Sequence, residues 1–295
     1  MLSTHRQTLA FVLRFALVAI LACVVLIVAG CDKDDRRISM RFKFKPGMRL
    51  TYEEVDKGTL RRFENDSLTH DTYEEMTWDI EWYVRQIFDD QTAEIVDTKT
   101  WRCRSWDQKD TTVVDTSKSS KTRPIVMYVQ PDGGLVDMAT DPEKSRYGLG
   151  YLKSYYEQCV PVFPKGDLTE GYSWTQTTKV VVQEGPMEAS TTYTVKSFAR
   201  ERGYDCVVIE YNGTVIVPLE PMCYKDSSKL ISGVDNITAS GHLYFAYKEG
   251  VIVMQTERWI KDGVRRVVLS KGDTVSRRVL REIDVHHFLL KLEME

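Results

Sequence analysis

Met76-Thr77-Trp78-Asp79-Ile80-Glu81-Trp82-Tyr83-Val84-Arg85 decides the fold. Met76, Trp78, Ile80, Trp82 and Val84 alternate with Thr77, Asp79, Glu81, Tyr83 and Arg85. Successive side chains of a strand point to opposite faces, so a period of two marks a half-buried strand with one apolar face. Working outward, Asp89-Asp90-Gln91 reads as a turn into a strand around Ala93 and Ile95. Further turn signals are Pro131-Asp132-Gly133-Gly134, Glu184-Gly185-Pro186, Asn212-Gly213, Lys248-Glu249-Gly250, Asp262-Gly263 and Lys271-Gly272-Asp273. Apolar or alternating runs lie between them, such as Val180-Val181-Val182 and residues 206–211, 251–254 and 264–269. The expected class is mainly β: an antiparallel curved sheet, half-barrel or sandwich, because ten or more strands must curl, close or split into packed sheets.

One segment departs from the pattern. Asp141-Pro142-Glu143 has the form of a helix start, with Asp141 as cap and Pro142 in the first turn. Tyr151, Leu152, Tyr155, Tyr156 and Cys159 then recur at helical spacing, which predicts one central helix over residues 142–158. Pro161 and Pro164 end it, and Phe163 between them is placed to plug a core. The order of features before the helix (residues 47–140) is met again after it (residues 171–256). That order fits two similar halves, and it equally fits the sameness of any β meander.

The amino terminus carries a different signal. His5, Arg6 and Arg14 precede sixteen uncharged residues, 15–30, which end in Val28-Ala29-Gly30-Cys31 before the charged run Asp32-Lys33-Asp34-Asp35-Arg36-Arg37. This arrangement resembles the lipobox of bacterial lipoprotein precursors. The resemblance implies a signal peptide over residues 1–30, cleavage between Gly30 and Cys31, and a diacylglyceryl group on the Cys31 thiol. Cys31 would then hold the chain on a membrane of the bacterial cell envelope, inner or outer, with residues 31–41 as a tether and 42–295 as the β-rich domain. The alternative is an uncleaved helix, but sixteen apolar residues fall short of the roughly 20 that span a bilayer. Two acyl chains hold a protein stably where one does not, since each buried methylene contributes about 0.8 kcal/mol.

Without residues 1–30, 265 residues remain, with 38 Lys and Arg against 43 Asp and Glu, a net charge of −5. The charges are mixed and no basic tract occurs, which argues against nucleic acid as a partner. Cys103, Cys159, Cys206 and Cys223 lie in the exported part, where oxidation permits disulfides. The expected pairs are Cys206–Cys223, seventeen apart around Asn212-Gly213, and by remainder Cys103–Cys159; buried free thiols are the alternative. No CxxC spacing suggests zinc.

Catalytic signatures are missing from the sequence. There is no G-x-S-x-G, no H-E-x-x-H and no phosphate-cradling loop. His286 and His287 are adjacent on a strand, so they face opposite sides, one partly buried and one exposed. The acidic pairs Glu53-Glu54, Glu74-Glu75 and Asp89-Asp90 read as solvated edges and turns, because strand neighbours point apart. No catalytic residue, metal or cofactor is expected. Trp78 and Trp82 share a strand face, and Tyr193 sits on a later strand. In a curved sheet these residues line an apolar concavity fit for a lipid, or else fill the core against the helix. The element order resembles, in outline, the half-barrels of bacterial lipoprotein carriers and related envelope lipoproteins. The expected function is a binding or adaptor module for an envelope protein partner, with a carrier of lipid or another apolar ligand as the alternative.

Overall fold

The computed structural model describes residues 36–108, 118–139, 153–154, 156–158, 160–182, 185–219, 221–223 and 227–294. Gly30, Cys31 and Cys159 lie outside the described residues, as do residues 142–152 and 155 of the expected helix; residues 153–154 and 156–158 are helical. Residues 37–295 form one compact unit.

The described residues of this unit form thirteen strands: β1 (Met48–Glu64), β2 (Ser67–Ile87), β3 (Ala93–Asp107), β4 (Lys118–Lys121), β5 (Ile125–Val129), β6 (Leu135–Ala139), β7 (Ser173–Val182), β8 (Gly185–Glu201), β9 (Tyr204–Leu219), β10 (Met222–Cys223), β11 (Lys229–Ala246), β12 (Val251–Val268) and β13 (Thr274–Met294). They form a single open, curved, antiparallel sheet in the order β6-β5-β3-β2-β1-β13-β12-β11-β9-β8-β7, with β4 on β3 and β10 on β11. The first strand pairs with the last, so the meander that leaves β1 on one side and the meander that returns through β13 join in mid-sheet. The Met76–Val84 alternation lies within β2, where Ile80 and Val84 are buried and Trp78 and Trp82 partly so. Tight turns use residues that tolerate left-handed backbone: Asn65-Asp66 between β1 and β2, and Arg202-Gly203 between β8 and β9.

Most of the apolar core occupies one end of one face, here called the inner face; a smaller cluster of Leu230, Val267 and Val275 lies at the far end of β11, β12 and β13. One cluster gathers Leu50, Tyr52, Val84, Ile95 and Met127; the other gathers Met40, Phe42, Phe163, Val195, Ile209 and Phe245. Two non-sheet segments cover that end. The first brings Met40 and Phe42. The second brings Tyr156, Phe163 and Leu168. Ile38 and Leu168 exchange backbone hydrogen bonds at 3.0 and 2.9 Å, which ties the covers together. Ile38 and Met40, which the sequence reading put in a tether over residues 31–41, thus belong to the fold.

Two turn signals are mid-strand. Asn212-Gly213 lies inside β9 and Asp262-Gly263 inside β12. Gly213 marks close approach rather than reversal, because a Cβ there would stand 2.8 Å from Thr191 Oγ1 on β8. With that turn goes the Cys206–Cys223 disulfide. Cys206 pairs with Ala246 at one end of β11, and Cys223, through β10, with Lys229 at the other. At about 3.3 Å per residue the two ends are roughly 50 Å apart, whereas a disulfide needs Cα atoms within about 7 Å. Cys103, Cys206 and Cys223 are all free thiols. The Cys206 thiol is pushed up to about 11, chiefly by burial.

Candidate binding face

Beyond its packed end the inner face continues for several rows of side chains. Register fixes the rows. Glu54 on β1 lies between Trp78 on β2 and His287 on β13, and Trp78 in turn opposes Trp101 on β3. One row on, Asp56 lies between Met76 and Val285, and Val285 opposes Glu257 on β12. The next row runs Gly58, Ile283, Trp259, Ala239 and Gly213. Met76, Trp78, Trp101, Trp259, Ile283 and Val285 are all only partly buried. The result, here called the trough, is a band of partly exposed apolar side chains interleaved with Glu54, Asp56, Glu257 and His287, with the small residues Gly58, Ala239 and Gly213 in its last row.

An acidic shelf runs through the first two of these rows, on the side nearer the core. Glu54 Oε2 lies 3.2 Å from His287 Nδ1, and the His287 ring stacks on Tyr52 at 4.6 Å between centroids. Trp78 Nε1 donates to Asp56 Oδ2 at 3.3 Å, while Asp56 Oδ1 is buried without a hydrogen-bond partner. Tyr211 donates its hydroxyl proton to Glu257 Oε2 at 3.0 Å, and Gln255 Nε2 donates to the Tyr211 oxygen at 2.9 Å. Burial raises the Asp56 carboxyl to about 7, with the charge of Glu54 adding to it. Burial also raises Glu257. Burial pushes Glu54 up as well, but the hydrogen bond and charge of His287 outweigh it and hold that carboxyl below its ordinary range. Farther out the charges are matched: Arg281 bonds Glu74 at 2.8 Å, and Asp235, with a side chain only 4% exposed, is held by Lys261 and Arg265.

The residues expected to line a concavity divide. Trp82 belongs to the packed end, where with Phe42, Phe44, Met127 and Tyr156 it borders a gap of about 20 Å³, room for about one water molecule. Tyr193 is 4% exposed and stacks on Trp174 at 5.1 Å. Both are core residues, because the covering segments fill the space above them. Trp78 packs against the same cluster as Trp82 but stands at its border, beside Trp101 at 6.3 Å between ring centroids. A wider depression on the outer face, between Glu210, His242, Arg258 and His286, is rimmed by polar groups.

His286 and His287 do face opposite sides, the first exposed and the second with a side chain 15% exposed. Among the described residues no three His, Cys, Asp or Glu side chains are placed to hold a metal ion. The acidic pairs are not uniformly solvated. Glu54 and Glu74 turn inward to His287 and Arg281, which belong to a strand more than two hundred residues away in the chain. The local pattern carries no trace of those partners. Trp101, Trp259, Asp56 and Glu257 also escape sequence reading, since only strand register brings them to one face.

Residues 137–222 match the family of unknown function DUF6263. No curated protein matches. Among solved structures, one of lipid–protein interactions in lipovitellin shares 11% identity at a TM-score of 0.49, covering 85% of this chain and 26% of the other. The chain thus spans about a quarter of the length of the lipovitellin chain. The COG4313 outer membrane channel from Pseudomonas putida F1 shares 10% identity at 0.27, covering 86% and 99%. The low-pH structure of Pseudomonas putida OprB shares 10% identity at 0.22, covering 80% and 92%.

Proposed function

We propose that this chain is a lipid-anchored lipoprotein of the bacterial cell envelope, and that its sheet holds an apolar or amphipathic ligand on the inner face without catalysing a reaction. The observation that carries the ligand reading is the open half of that face. Trp101, Trp259, Met76, Ile283 and Val285 remain partly exposed there, outside both core clusters, and Trp78 joins them at the border of the first cluster. Exposed apolar surface of this kind marks a place where a ligand or partner binds. The anchor reading rests on the run from Val28 to Cys31 after sixteen uncharged residues.

A protein-adaptor role is the second reading. Ile216 and Val264, 61% and 44% exposed, favour it, because both lie toward one end of the outer face.

One variant tests both parts of the first reading. Cys31→Ser should move the protein from the membrane to the soluble fraction. A short-chain phospholipid with brominated acyl tails should then quench its tryptophan fluorescence saturably, and Trp259→Phe should reduce the quenched amplitude. Retention at the membrane would refute the anchor, and unquenched emission would refute the ligand site.

A further inference from the structure

Resting on the ligand reading above, we infer that the acidic shelf makes occupancy of the trough depend on pH: ligand is held while the shelf carries protons and is released as it ionises. The geometry is specific. Glu54 and Asp56 sit two residues apart on the same side of β1, and Asp56 and Glu257 flank Val285 in a single row. Two strand spacings put those last two residues roughly 10 Å apart at their Cα atoms. Asp56 touches the proposed ligand surface directly, because its Oδ2 accepts the Trp78 indole proton. Its other oxygen is buried without a hydrogen bond, so a charge there would be unsolvated and ionisation is disfavoured.

Glu54 on β1, Glu257 on β12 and Arg281 on β13 act on Asp56 by charge, and Trp78 on β2 by its hydrogen bond. The other titratable or charged groups of this cluster are Glu74 on β2, Lys99 and Cys103 on β3, Tyr211 on β9 and His287 on β13. The charge of Arg281 favours ionisation of Asp56, whereas Glu54 and Glu257 oppose it. Arg281 is already engaged by Glu74. Glu54 stays anionic on His287, so the groups left to titrate upward are Asp56 and Glu257.

The sign follows. With its carboxyl raised to about 7, Asp56 is neutral below that pH and anionic above it. An anion beside Trp78 must be hydrated, so ionisation draws water onto the apolar floor and competes with an apolar ligand. Binding therefore weakens as pH rises through 7. A ligand preferring the protonated state pulls the midpoint higher, by the same linkage.

The test uses the soluble Cys31→Ser chain and N-phenyl-1-naphthylamine, a neutral apolar fluorophore, titrated at pH 5.5, 6.5, 7.5 and 8.5. The dissociation constant should rise about tenfold across this series. Asp56→Asn with Glu257→Gln should stay at the low-pH value throughout, and circular dichroism should confirm that the double variant is folded. Binding that is equally tight at every pH overturns the switch and leaves the ligand site standing. A double variant that keeps the wild-type pH profile also overturns the assignment to this shelf. No binding at any pH removes the ligand site, and the switch with it.

Discussion

Phe163→Ala should lower the stability of the domain by about 3–4 kcal/mol, the usual cost of removing a fully buried phenylalanine ring. Phe163 is 2% exposed and sits at the hub of an aromatic group. Its ring centroid lies 4.7 Å from Phe245 on β11, 5.5 Å from Phe42 and 6.5 Å from Trp174 on β7. Its own backbone N–H donates to the Asp132 carbonyl at 2.7 Å in the turn between β5 and β6. One residue thus joins both edges of the sheet and both covering segments. The loss should appear in urea denaturation as a lower midpoint with an unchanged slope. A shift under 1 kcal/mol would mean that the covering segment is not part of the cooperative unit.

The larger effect is expected from Gly241→Val. Gly241 lies on the inner face of β11 between Tyr211 on β9 and Glu257 on β12. An added Cβ would run into the backbone carbonyl of Thr256 on the paired strand, and a carbonyl cannot swing aside as a side chain does. Room would come only from prying β11 off β12 or flattening the sheet. Overpacking a tight site costs about 3 kcal/mol or more when backbone must move, and here the same movement would spoil the trough. The variant should be unfolded or aggregated on purification. A soluble Gly241→Val protein with wild-type stability would show that the curvature does not depend on this close approach.

How much of this could be read from the residues varies with sequence distance. The alternation at Met76–Val84 and the opposed faces of His286 and His287 follow from the two-residue period of a strand, which is local. Phe163 between two prolines was legible because prolines end a helix and leave the intervening side chain free to turn inward. Asn212-Gly213 and Asp262-Gly263 misled because glycine serves two needs, reversal and close approach, and only the neighbouring strand tells which. The shelf was invisible for the same reason. Glu54, Asp56, Glu257 and His287 meet through pairing of the first strand with the last, and nothing near any of them encodes it. Aromatic character alone suits Trp82 and Tyr193 to a core or to a ligand surface, and the covers carrying Phe42 and Phe163 make them core.

The central claim is that the open half of the inner face carries a ligand, and native mass spectrometry tests it most directly. Residues 32–295, secreted to the periplasm without the lipid site and purified at pH 6 without detergent, should show a discrete excess mass over the bare chain. That excess should extract into organic solvent. A protein that is folded and has only the mass of its own chain, in every preparation, would contradict the claim.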